Sequence, residues 1–127
     1  MNTSKIASNI IGDIYTFHNK YEKAKNKFEN QEISENKFAN AQYVILCKLT
    51  YLTEVINSLK ENGYMFARYE KELCILTDLK SSINETLDQH KLSELTIVEQ
   101  VSLTTYLTKY SNVLSIEEDV EELKDHT

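Results

Sequence analysis

Residues 38–59 read FANAQYVILCKLTYLTEVINSL, and the spacing of their apolar side chains decides the fold class. Phe38, Ala41, Ile45, Leu49, Leu52, Ile56 and Leu59 recur at steps of three and four, which draws one stripe along an α-helix. Val44, Tyr51 and Val55 make a second stripe beside the first. The helix is therefore apolar over a wide arc, and a wide arc needs neighbours on more than one side.

Upstream, a first helix is predicted over residues 4–30. Ile10, Ile14, Phe17, Tyr21, Ala24 and Phe28 alternate steps of four and three, a heptad seam, and Thr3 or Ser4 is placed to cap it. Gly12 lies inside this helix and is expected to mark a close helix contact. Residues 30–34 form a short connection, and Ser34 caps a second helix over 34–62. Asn62-Gly63 closes that helix, with Gly63 a natural left-handed residue. A third helix is expected over 64–91, with Phe66, Tyr69, Leu73, Leu76, Leu79, Ile83 and Leu87 as its stripe. A fourth is expected over 93–124. Thr96 with Glu99 fits a capping box, and so does Ser115 with Glu118. The second box predicts a break near 111–115 and a short fifth helix over 116–124. At the usual rise, four helices of similar length are each about 40 Å long. Short connections then favour an all-α, antiparallel up-down-up-down four-helix bundle in one domain, residues 1–127, ahead of a long helical hairpin that dimerises.

Composition agrees with helices: there is no proline and there are only two glycines. Hydrophobic residues are 41% and charged residues 27%, a globular balance. The net charge of −6 argues against direct nucleic-acid binding. No run is apolar enough for a signal peptide or a membrane span, so the expected location is the cytoplasm. Cys47 and Cys74 would lie about 7 Å out of level on adjacent antiparallel helices, and they read as buried free thiols. Many Asn, Ile and Lys point to an AT-rich genome, as in a low-GC bacterium or its phages.

The chemistry-bearing residues form no recognisable constellation. His18, His90 and His126 lack the Glu-x-x-His motifs of di-iron bundles, and no glycine stands beside His18 or His90 as a phosphoryl-accepting site requires. Neither cysteine has a neighbouring histidine, and two isolated glycines make no phosphate loop. The sequence therefore gives no catalytic, cofactor-binding or metal-binding residues, and a non-enzymatic protein is expected. Lys20, Lys23, Lys25 and Lys27 read as partners of the helix dipole rather than as an anion site.

Two features suit partner binding. Tyr64 and Met65 follow the Asn62-Gly63 turn without belonging to the core stripe, and Tyr and Met are favoured at interfaces. Glu117, Glu118, Asp119, Glu121 and Glu122 form an acidic stretch that Ile116, Val120 and Leu123 make amphipathic. The expected function is a protein–protein interaction module, a small acidic bundle that binds and blocks or adapts another protein, its acidic face meeting a basic surface on that partner. The alternatives are an immunity protein near the membrane, its basic end on anionic lipid, and a structural homodimer. Size and architecture are similar to those of small bacteriocin immunity proteins and phage-encoded inhibitors, a likeness of fold alone.

Overall fold

The computed structural model describes residues 3–89 and 94–114. The chain is all-α: the helices α1 (Thr3–Glu29), α2 (Glu35–Glu61), α3 (Glu70–Leu87) and α4 (Ile97–Tyr106) pack as an antiparallel bundle. The stretch that decides the fold is its centre. α1, α2 and α3 pack against one another, and α4 lies on α2. α3 meets α2 around Thr53, Ile56 and Lys60, whereas α4 meets it around Asn40, Lys48 and Tyr51. These are different sides of α2, and fourteen of its 27 residues are buried. Both sequence stripes are inside: Leu49, Leu52 and Val55 have no exposed surface, and Tyr51 is buried with them.

Local chemistry sets the helix ends. Ser34 Oγ accepts from the backbone N–H of Lys37 and starts α2. At its other end the Tyr64 N–H donates to the Leu59 carbonyl and the Gly63 N–H to that of Lys60, with Gly63 at φ 92°. This paired arrangement requires a left-handed residue, which glycine supplies without strain. α1 ends in the same way on Gln31, at φ 61°, with Glu32 N–H on the Lys27 carbonyl and Gln31 N–H on that of Phe28. Thr96 and Glu99 form the expected capping box: the Glu99 N–H donates to Thr96 Oγ1 and the Thr96 N–H to Glu99 Oε1.

Several expectations are corrected. α3 begins at Glu70, not at 64 or 65, because the turn that closes α2 uses the Tyr64 N–H, and a 3₁₀ turn (Ala67–Tyr69) follows before the α-helix. α4 is ten residues, not the long partner of α1. Its helix breaks at residues 107–110, upstream of the expected 111–115, and turns helical again at 111–114. The reason is tertiary: the Tyr110 N–H donates to the Tyr51 hydroxyl on α2 instead of to a carbonyl of its own helix. The short helix expected over 116–124 lies outside the described residues. Cys74 is exposed and Cys47 half-buried, so the thiols are not both core groups. Gly12 marks no contact, since a Cβ built there meets nothing within 4 Å. Gly12→Ala is therefore expected to stabilise the fold by about 1 kcal/mol through helix propensity, read as a raised midpoint in chemical denaturation.

Buried polar residues break the apolar arc of α2. Gln42 is fully buried, and neither its amide nitrogen nor its carbonyl oxygen has a hydrogen-bond partner. An unsatisfied buried amide costs about 1–3 kcal/mol. Gln42→Leu keeps the volume and removes that cost, so a gain of about 1–2 kcal/mol is expected in urea unfolding. A loss of stability would mean that the amide is satisfied in solution.

Candidate functional site

The side chains richest in chemistry meet where α4 crosses α1 and α2. Asp13 on α1 accepts from the hydroxyl of Tyr110 at 2.7 Å and from that of Tyr106 at 2.9 Å, both on Oδ2. Lys109 Nζ lies 2.9 Å from each carboxylate oxygen. Around this carboxylate the rings pack edge to face: Phe17 on Tyr106 with centroids 5.0 Å apart, and Tyr51 on Tyr106 at 5.8 Å. Burial and the Asp13 charge both push the Tyr106 and Tyr110 hydroxyls well above the usual phenol range, so they are neutral donors at any physiological pH. The arrangement is a fully partnered clamp that holds the end of α4 on α1 and α2.

Beside the clamp runs a groove of about 630 Å³, lined by α1 and α4 and floored by Lys48 of α2. Lys48 sits in the second α2 stripe and is only 6% exposed. Its ammonium donates to Ser102 Oγ at 2.7 Å and lies 5.7 Å from the ring centroids of both Phe17 and Tyr106. Desolvation, with a smaller push from the charge on Lys20, lowers its pKa below the ordinary lysine value. Lys20 and Lys109 line the same groove, and Asp13 is its one carboxylate among the described residues. Lys20 also borders a second, smaller groove with Lys23, Lys27, Lys37 of α2 and Glu99 of α4, so three of the four lysines read as dipole partners, Lys25 excepted, gather on the α1 face next to α4.

The outer side of α4 is the other notable surface. Ile97 is 79% exposed and Val98 78%, with Val101 one turn on, also exposed. Three aliphatic residues on one turn are a concentrated apolar patch for a small domain.

The sequence-predicted site residues do not converge. Tyr64 is half-buried, its ring edge-to-face with Phe66 at 4.9 Å, and it packs against the end of the core. Met65 beside it is 77% exposed. Glu117, Glu118, Asp119, Glu121 and Glu122 lie outside the described residues. Sequence reasoning passed over Asp13, Lys48 and the patch on α4. Lys48 carried a signal: at steps of four and three from Val44 and Tyr51, it is a charge inside an apolar stripe. Asp13 carried none, since its partners lie more than ninety residues away.

Among the described residues there is no group of three His, Cys, Asp or Glu side chains placed to hold a metal ion, and no helix long and apolar enough to cross a membrane. The chain matches no known family model, no curated protein and no solved structure.

Proposed function

We propose that the chain is a non-enzymatic protein-binding module, a small acidic bundle that blocks or adapts another protein in the cytoplasm, as phage- and mobile-element-borne inhibitors do. The observation that supports this reading is the outward face of α4. Exposing Ile97, Val98 and Val101 in water has a hydrophobic cost that a bound partner would remove, at about 25 cal/mol per Å² of apolar surface covered. The partner that fits has an apolar groove with a basic rim. The groove takes the α4 aliphatics, and the rim takes Glu117, Glu118, Asp119, Glu121 and Glu122, which follow α4 in the sequence and would add on-rate and selectivity. Met65 belongs to the opposite end of α2 and offers a smaller second contact.

The test compares tagged wild-type protein with a variant carrying Ile97→Ser, Val98→Ser and Val101→Ser, each used to capture partners from a low-GC bacterial lysate with soluble and membrane fractions kept apart. The expected result is a stoichiometric soluble partner held by the wild type and lost by the variant, whose far-ultraviolet circular dichroism is unchanged. Charge reversal of the five acidic residues should weaken the same complex and flatten its salt dependence. A partner held equally by both proteins would remove α4 from the reading. A membrane partner would favour the immunity protein. A two-chain mass in light scattering that falls to one chain in the variant would assign the face to a homodimer.

A further inference from the structure

We propose that the groove between α1 and α4 binds the phosphate group of a small phosphate monoester, held between Lys20 and Lys48. This site is separate from the outer face of α4, and either can fail without the other.

A buried charge without a counter-ion among the described residues lies in this groove. Lys48 is buried to 6% exposure, and its ammonium has one hydrogen bond, to the neutral Ser102 hydroxyl. No carboxylate among the described residues pairs with it. Buried charges are normally paired, because an isolated one loses its hydration; the Phe17 and Tyr106 rings, 5.7 Å from the ammonium, return part of that loss but supply no counter-ion. The one carboxylate lining the groove, Asp13, is already committed to Lys109, Tyr106 and Tyr110. Lys20 lines the same groove and repels Lys48, so the site gathers two unneutralised cations where an anion would relieve both.

The donors match a tetrahedral anion with several terminal oxygens. Lys48 keeps two ammonium protons beyond the one given to Ser102. Ser102 accepts from Lys48, so its own hydroxyl proton is free to donate. Thr105 adds a second hydroxyl on the lining, one turn from Ser102. A carboxylate offers two acceptor oxygens and a single charge, fewer than this set can use; a phosphate monoester offers three and nearly two charges. The groove, at about 630 Å³, is larger than a phosphate needs and falls within the range of about 300–1,000 Å³ usual for small-ligand sites. The extra room would take the organic body of the ester, against the Tyr106 ring.

The phosphate could sit on a soluble metabolite or on a lipid headgroup, and the experiment separates the two. The ¹⁵N-labelled full chain is titrated, at fixed ionic strength, with glycerol 3-phosphate and in parallel with vesicles containing phosphatidic acid. Amide shifts are followed at Thr16, Lys48, Ser102 and Thr105. The expected result is saturable shifts at these residues with glycerol 3-phosphate, with affinity reduced at least about tenfold in both Lys48→Met and Lys20→Gln. Lys71→Gln, on the exposed side of α3, should bind as the wild type does. The same shifts with vesicles alone, equally dependent on Lys20 and Lys48, would place the phosphate on a lipid. Lys20 is exposed, so its variant reports on binding even if Lys48→Met disturbs packing. No shift with either probe, or binding that survives both substitutions, would overturn the proposal.

Discussion

Asp13→Ala is expected to lower stability by about 3 kcal/mol, which for a domain of this size is a fall of about 10 °C in Tm. The carboxylate accepts two phenolic hydroxyls and one ammonium. Hydrogen bonds to a charged acceptor contribute about 1.5–3 kcal/mol each, and part of that returns when exposed Lys109 is rehydrated. The two hydroxyls have no such recourse. Tyr110 is buried and Tyr106 partly buried, and without Asp13 both lose their partner in place. Asp13→Asn, which keeps a carbonyl oxygen but not the charge, should cost about half as much. The damage should also be local. Hydrogen exchange should accelerate across α4 first, because the clamp is its attachment to α1, while the α1–α2–α3 core keeps its protection.

The same phenols give the clamp a pH signature. The folded state raises the Tyr106 and Tyr110 pKa values above the ordinary 10.0, through burial first and Asp13 second. Their contribution to stability is complete below pH 10 and is lost as the pH rises further, because the unfolded chain releases protons that the folded chain retains. Lys48 acts in the opposite direction, since its lowered pKa makes folding easier as the pH approaches 10.5, but it stands against Tyr106 and Tyr110 and against the smaller upward shifts of Tyr15, Tyr43 and Tyr51. Wild-type stability should therefore decline above pH 10, and Asp13→Ala should decline less steeply.

Leu52→Ala should cost at least as much, about 3–4 kcal/mol, measured by urea unfolding. Leu52 has no exposed surface and sits in the middle of α2, the helix that both α3 and α4 lean on. Removing its side chain forfeits the transfer free energy of the lost carbons and leaves a cavity that three packed helices cannot collapse around. Val98→Ala is the control. At 78% exposure it should change stability by less than about 0.5 kcal/mol. Both residues are aliphatic and both lie in helices, so the difference between them tests the tertiary structure and not residue type or helix propensity. Equal costs at the two positions would mean that α4 buries its outer face in solution, and would count against the partner-binding reading.

The sequence by itself determined the helical class, the central place of α2, and the chemistry of three helix ends. Ser34, Gly63 and the Thr96–Glu99 pair act on backbone groups within a few residues of themselves, so their roles are written in local order. The wide apolar arc of α2 likewise follows from spacing alone. What only the tertiary structure decided was the use made of polar side chains. Asp13, Tyr51, Tyr106 and Tyr110 look unremarkable one at a time, and they become a clamp because helices far apart in the chain bring them within hydrogen-bond reach. That clamp shortens α4, diverting a backbone N–H to a phenol that no local pattern could nominate. The isolated charge on Lys48 and the bare aliphatics of α4 share that origin. Periodicity reports which residues prefer to avoid water, but burial and charge pairing depend on which helix arrives opposite them.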